Sequence, residues 1–373
     1  MTELTAPLNP FQRQHRPRGL RRWIPGLQLL RTYQRAWFIK DISAGLVLTA
    51  ILVPVGMGYA EAAGLPVIYG LYATIVPLIA YAIFGPSRIL VLGPDSSLAA
   101  IIAATIVPLA GGSPDQLVAL AGLLALLSGA LCILAGVARF GFVTDLLSKP
   151  VRLGYLNGIA LTVLIGQLPK VFGFSAKGDG LLPQSASLIQ NIVSGRTNGV
   201  ALIVGVMCLG IILICKYRFR KIPGVLIAVV GATVVAGWLD LATTAGLAVV
   251  GPLPQGLPAF HLPIVALDDW GVLVAGAIAI ALVSFADTSV LSRTFALRGG
   301  YEVDENQELV ALGLANISAG LFQGFSISSS SSRTPVAESA GAKTQITGLV
   351  GALCIALLLI YAPHLLQNLP GAA

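Results

Sequence analysis

An all-α polytopic membrane protein is the fold class that the sequence predicts, and three observations predict it. Hydrophobic residues make up 56% of the 373 positions and charged residues only 10%, against roughly a quarter in soluble domains. Apolar runs of about 18 residues or more, enough to cross a ~30 Å hydrocarbon core, recur along the chain. The basic residues are segregated in the way that sets membrane orientation. The apolar runs do not alternate with polar residues, so backbone hydrogen bonds in the bilayer are met within helices rather than between barrel strands.

Residues 1–40 hold eight Lys/Arg, from Arg13 to Lys40, and one acid, Glu3; the remainder carries 15 basic and 15 acidic groups. A basic segment ahead of the first span is retained in the cytoplasm. It also suits an anionic lipid surface, with Trp23, Leu27, Leu30 and Trp37 as interfacial anchors. The lipid bilayer, not nucleic acid, is the expected partner, and the segment lacks the layout of a signal peptide.

Spans follow at about 42–60, 67–85, 96–111, 116–138, 153–173, 198–216, 222–239, 270–290, 307–323, 332–342 and 344–362. Those at 96–111 and 332–342 are too short to cross alone. Each follows a stretch unsuited to helix: Arg88-Ile-Leu-Val-Leu-Gly-Pro94 in one case, Phe325-Ser-Ile327 and the serine run 328–332 in the other. Each pair therefore reads as a short extended segment entering the bilayer and a half-helix leaving it. With the N-terminus cytoplasmic, the predicted inner segments contain Arg88, then Arg139, Lys149 and Arg152, then Lys216, Arg218, Arg220 and Lys221, then Arg293 and Arg298, then Lys343. The predicted outer loops near 60–66, 112–115 and 240–269 contain no Lys or Arg; only 174–197, with Lys177 and Arg196, breaks the rule. The first half-helix then runs outward and the second inward, as in two repeats of opposite orientation with interrupted helices in corresponding places.

Each helix N-terminus carries roughly half a positive charge and free N–H donors. Two such ends face to face make an anion site in a medium that penalises charge. Gly93, Pro94, Asp95, Ser96 and Ser97 fall near the first end. Ser328, Ser329, Ser330, Ser331, Ser332, Arg333 and Thr334 fall near the second. Short hydroxyls cap helices and donate to oxyanions, and Pro94 and Pro335 fall where a first-turn proline is tolerated. Arg333 either adds positive potential to the site or snorkels to the cytoplasmic side. Asp95 has the position of an N-cap. Asp287, inside span eight, is a costly intramembrane acid that binds a co-transported proton or sodium, or pairs with Arg333. Glu61 reads as a solvated residue at the outer end of span one, and Glu338 as part of a cytosol-facing polar face. Cys132, Cys208, Cys215 and Cys354 lie in or beside apolar spans and His15, His261 and His364 are scattered, so neither set suggests a metal site. With no phosphate-binding Gly-Lys loop, nucleophile elbow or metal motif, neither an enzyme nor a resident cofactor is expected.

Pro54-Val-Gly-Met-Gly-Tyr59-Ala, Gly64-Leu-Pro-Val-Ile-Tyr-Gly-Leu-Tyr72 and Gly85-Pro-Ser-Arg-Ile-Leu-Val-Leu-Gly-Pro94 resemble the signature of the sulfate permease (SulP) family, solute carrier family 26 in animals. So do Asn306-Gln-Glu-Leu309, Asn316, Gly320-Leu-Phe-Gln-Gly324, Ser332-Arg-Thr334 and Gly341-Ala-Lys-Thr344. The resemblance runs from about 38 to 370. It implies seven plus seven inverted spans split into core and gate domains. On that frame, 41–140 holds the first-repeat core spans, 141–240 the first-repeat gate spans, 241–269 an outer loop and 270–363 the second-repeat core spans. Residues 364–373 then form a tail truncated after the eleventh span, where the family continues with three more spans and usually a STAS domain. The implied activity is secondary active transport of a small anion, of the sulfate, bicarbonate or dicarboxylate class, across the inner (plasma) membrane by alternating access. An anion channel or a non-transporting scaffold is the alternative if the truncation is natural.

The resemblance puts the anion between the starts of half-helices 3 and 10, matching Ser329, Ser330, Ser331 and Arg333. Tyr59 matches the family's first-span aromatic position, while the polar position before it is Val55. Asp287 matches the family's cation-coupling acid. The hydroxyl expected one turn on is Leu291, and Ser284 replaces a frequent acid, which favours a coupling proton over sodium. A second copy of the chain, as a homodimer, stays open as a partner.

Overall fold

The computed structural model describes residues 23–141, 157, 161, 164, 165, 167–174, 181–218, 224–265 and 270–372. The expected spans are helices here. α1 (Pro25–Thr32) precedes α2 (Phe38–Ala62), α3 (Ile68–Phe84), α4 (Ser96–Ile106) and α5 (Pro114–Val137). Then come α6 (Leu181–Val193), α7 (Gly199–Arg218), α8 (Gly224–Trp238) and the single turn α9 (Leu241–Thr244). α10 (Trp270–Gly299), α11 (Glu305–Leu321), α12 (Arg333–Ser339) and α13 (Ile346–Tyr361) complete the order. Most of the span at 153–173 lies outside the described residues; its end, 167–171, is helical.

Local chemistry sets the helix starts. Ser113 caps α5, accepting from the Gln116 amide at 3.4 Å, with Pro114 as the first helical residue. Asp304 caps α11 through the Asn306 and Gln307 amides, at 3.0 and 3.3 Å. Side chains such as Leu134, Ile203, Val234 and Leu353 are exposed on outward helix faces, as a hydrocarbon solvent permits.

The helices approach through glycine. α5 and α11 form the most extensive pair. Gly122, Gly129 and Gly136 on α5 recur every seven residues, as Gly313 and Gly320 do on α11. A Cβ on Gly313 would lie 2.5 Å from the Gly129 carbonyl oxygen, and one on Gly320 2.5 Å from that of Gly122. Small residues let backbones touch where lipid supplies no hydrophobic drive for association. Against this pair pack α3 on one side and α10 on the other, while α13 covers α2.

Two elements are short strands. β1 (Leu92–Gly93) and β2 (Ser328–Ser329), each just ahead of a short helix, pair antiparallel with Leu92 opposite Ser329 and Gly93 opposite Ser328. The sequence led to two extended segments; their pairing with each other is new.

Several expectations need correction. Pro94 is not in the first turn of α4 but one residue ahead of the cap Asp95. Span eight continues to Gly299, beyond the expected 290, because Arg293 and Arg298 find partners in Glu305 and Glu338 at that end. The segment 174–197, expected to lie outside, contains α6, whose Leu182, Ile189 and Val193 are exposed. Residues 364–372 pack back on the segment before α10: Val250 N donates to Leu369 O at 3.0 Å and Gly371 N to Ala248 O at 2.9 Å. Of the proposed anchors, Trp23 is exposed.

Replacing Gly313 by Val should force α5 and α11 apart and cost about 1–3 kcal/mol or more, read as a lowered melting temperature in detergent. Gly231→Ala, where a Cβ meets nothing within 4 Å, should leave the melting temperature unchanged or raise it.

Candidate functional site

The strand pair is a hub of hydrogen bonds. Ser330 N donates to Val91 O at 3.0 Å, and Val91 N donates to Thr334 Oγ1 at 3.1 Å. Gln345 Nε2 donates to Ser87 O and Leu90 O, both at 2.9 Å. Asn316 brackets Ile327, accepting from its amide at 2.8 Å and donating to its carbonyl at 3.1 Å. Much of the non-helical backbone around the strands is therefore paired within the protein.

α4 begins three residues after β1. Asp95 is its N-cap, accepting from Ser97 N at 3.0 Å and Ser97 Oγ at 2.9 Å. α12 begins four residues after β2 and is built differently. Its N-cap, Ser332, makes no side-chain capping bond; the Arg333 amide donates instead to Ser330 Oγ at 3.2 Å. Ser328, Ser329 and Ser330 are buried, whereas Ser331 and Ser332 are exposed.

The chief surprise is Arg333. It does not snorkel: its side chain is 0% exposed. Nη2 donates to the Pro94 carbonyl and lies 3.9 Å from Asp95 Oδ2, a charge contact too long for a hydrogen bond. Nε and Nη1 have no hydrogen-bond partner. Gly93 makes room for the guanidinium, since a Cβ there would sit 3.0 Å from Nη1. The sequence suggested positive potential from two helix ends, with Arg333 either adding to it or snorkelling away. α12 has only seven residues, so its dipole is short, and a full buried charge supplies much of the potential instead.

Tyr59 lies within electrostatic reach of Asp95 and Arg333. It also lines a cavity of about 200 Å³ with Val55, Gly58, Ala62 and Gln167. Tyr59, Asp95, Ser96, Ser97, Ser329, Ser330 and Arg333 thus gather around the two broken segments. Ser331 is adjacent in the chain but exposed. Asp287 is half-buried on α10, the helix whose Ser284 carbonyl accepts from Ser328 Oγ at 3.3 Å. Arg333 takes Asp95, not Asp287, as its charge partner. The Ser284, Thr288 and Ser289 hydroxyls on α10, and that of Ser329, are buried without a hydrogen-bond partner. Among the described residues, no group of three or more His, Cys, Asp or Glu could hold a metal ion.

Some polar residues escaped the sequence reading. Glu308 is fully buried between the Tyr81 hydroxyl and Ser87 Oγ, the latter at 3.0 Å. Asp41 is also fully buried and accepts from Lys343 N at 2.7 Å, Thr344 N at 3.0 Å and Thr344 Oγ1 at 2.7 Å. A carboxylate from the start of α2 thereby serves the approach to α13. Glu61 is not simply solvated: its Oε2 is 3.1 Å from Lys170 Nζ.

An apolar helical bundle with two broken elements paired at a buried guanidinium defines a polytopic membrane protein of the transporter class. The chain belongs to the sulfate permease family, whose model matches residues 38–373, and so to a family of anion transporters rather than enzymes. It is 40% identical over 351 residues to a probable sulfate transporter of Mycobacterium tuberculosis, covering 94% of this chain and 62% of that protein. It is 34% identical over 382 residues to human solute carrier family 26 member 6, covering 94% of this chain and 48% of that one. The chain thus spans less than two thirds of the length of these relatives. Among solved structures, the murine solute carrier 26 family member A9 anion transporter in the inward-facing state superposes with a TM-score of 0.86 at 26% identity, over 94% of this chain and 61% of that one. The transmembrane domain of the cyanobacterial bicarbonate transporter BicA shares the fold, with a TM-score of 0.82 at 24% identity over 91% of this chain and 86% of that chain.

Asp95→Ala should destabilise the protein by about 1 kcal/mol more than Asp95→Asn, because asparagine keeps the capping acceptor for the Ser97 amide. Thermal unfolding of the two variants in detergent checks this.

Proposed function

We propose that this chain forms the anion-translocating part of a secondary active transporter for a small oxyanion or carboxylate of the sulfate, bicarbonate or dicarboxylate class. The observation that carries the proposal is the fully buried Arg333, with Nε and Nη1 unpartnered beside the starts of α4 and α12. A desolvated guanidinium with free donors is costly unless something negative visits it. The anion accepts from Arg333, from the Ser96 amide and hydroxyl and from the Ser329 and Ser330 hydroxyls; Ser97, whose amide and hydroxyl serve Asp95, lines the site, with Tyr59 at its flank. Ser331 sits at the open side.

The protein crosses the cell's inner (plasma) membrane several times with its N-terminus in the cytoplasm, as the segregation of Lys and Arg supports. Its two broken elements belong to inverted repeats. A core bearing the site moves against a gate, so that the anion meets each side in turn. Asp287 takes the coupling proton. Its helix packs on β2, which gives protonation a route to the site. Two copies assemble as a homodimer.

Purified protein in proteoliposomes should take up radiolabelled sulfate, bicarbonate or fumarate saturably and faster under an inward proton gradient. Flux that rises linearly and follows voltage would indicate a channel; no flux would leave a scaffold. Arg333→Gln should lower anion affinity by roughly tenfold or more, the weight of a charge-assisted hydrogen bond, and Ser330→Ala by a few-fold. Ser330 is 1% exposed, so a bulky residue there would test packing rather than binding. Asp287→Asn should leave anion exchange intact and abolish acceleration by the proton gradient; acceleration equal to wild type removes Asp287 from coupling.

A further inference from the structure

The cavity beside Tyr59 has walls from two parts of the chain. α2 contributes Val55, Gly58, Tyr59 and Ala62, of which only Tyr59 has a polar side-chain atom. Among the described residues the other wall is Gln167, in the helical residues 167–171. Its side chain is half-buried, and no hydrogen bond engages its amide among the described residues. The same turn is fixed across the gap, because Lys170 Nζ meets Glu61 Oε2 on α2 at 3.1 Å. Gln167 and Lys170, three residues apart, share one helix face. The ion pair thus joins the turn that carries Gln167 to the helix that carries Tyr59.

We propose that Gln167 is a specificity-determining residue of the anion site, donating its side-chain amide to the anion from the wall facing α2. This rests on the transport reading above and adds a contact from outside the two broken helices. Around the strands the donors are a guanidinium, hydroxyls and backbone amides, groups that accept anions of many shapes. A carboxamide differs, with two N–H donors beside one acceptor oxygen. It favours an oxyanion that presents several lone pairs in fixed directions over a spherical halide. It also engages an anion that carries its own O–H, such as bicarbonate, through both ends of the amide.

The test is binding of radiolabelled sulfate, bicarbonate, fumarate and chloride to the full chain in detergent, for wild type, Gln167→Leu, Gln167→Glu and Arg333→Gln. Gln167→Leu should weaken the three oxyanions by about tenfold and leave chloride within about twofold, so that selectivity for oxyanions over chloride collapses. Gln167→Glu, nearly isosteric, should weaken all four anions by tenfold or more, and it supplies the answer should the leucine variant fail to fold. If Arg333→Gln loses binding while both Gln167 variants keep the wild-type affinities and order, Gln167 has no part in recognition. If Arg333→Gln binds like wild type, or if wild type binds none of the four, the underlying site reading falls first.

Discussion

Backbone amides and carbonyls inside a bilayer have no water to turn to, and each one left unpaired costs several kcal/mol. A chain that breaks two helices at that depth must therefore find partners for the freed groups. Here the two breaks pair with each other. Leu92–Gly93 and Ser328–Ser329 exchange ladder bonds, and Val91 is held from both sides by Ser330 and Thr334. Each break satisfies the other, so neither folds without its partner more than two hundred residues away in the chain. This places the starts of α4 and α12 together.

The surrounding polar residues serve that pairing. Gln345, just ahead of α13, clamps the approach to β1 through Ser87 and Leu90. Asn316 on α11 brackets the residue before β2. Glu308 holds Ser87 from the side, and Asp41 orders the turn that delivers Gln345. Three of these side chains sit on the motifs Asn306–Leu309, Asn316 and Gly341–Thr344 or next to them. Those motifs therefore have a structural explanation that precedes any role in transport. Glycine does the corresponding service for the scaffold: α5 and α11 approach backbone to backbone, which keeps Asn316 within reach of the break.

The spans were legible because hydropathy and the exclusion of charge act on every residue of a membrane helix. α2, α3, α5, α7 and α13 therefore lie within a few residues of expectation. The broken elements were legible for the converse reason: proline, glycine and a serine run cannot be lipid-facing helix. The pairing of the breaks was not, because a two-residue ladder has no periodicity to read. Nor was α6, whose polar and apolar faces average to an unremarkable loop composition. At the site, Asp95 as a cap followed from its position before an apolar run. The environment of Arg333 did not follow: snorkelling and burial look alike in sequence, and only the room left at Gly93, with the carbonyl of Pro94 turned inward, decides between them. Gln167 gave no signal, since its importance comes from facing α2 across space.

A transporter must release what it binds, and this limits how positive the site can be. A unit charge pair near 4 Å is worth about 4 kcal/mol at an effective dielectric constant of 20. An anion facing Arg333 alone would gain most of that and leave slowly. Asp95, 3.9 Å from the guanidinium, offsets much of the charge before any ligand arrives. What is left for the anion, under the proposed reading, is the residual field of the pair, the partial charges of two helix starts and a few hydroxyl donors. Each is modest and most lose their effect when the geometry shifts by an ångström or two. The carboxylate is thus both the cap that starts α4 and the counter-charge that keeps binding shallow. Removing its charge while keeping its capping oxygen would tighten binding and slow turnover together, the signature of a site tuned for release rather than for capture.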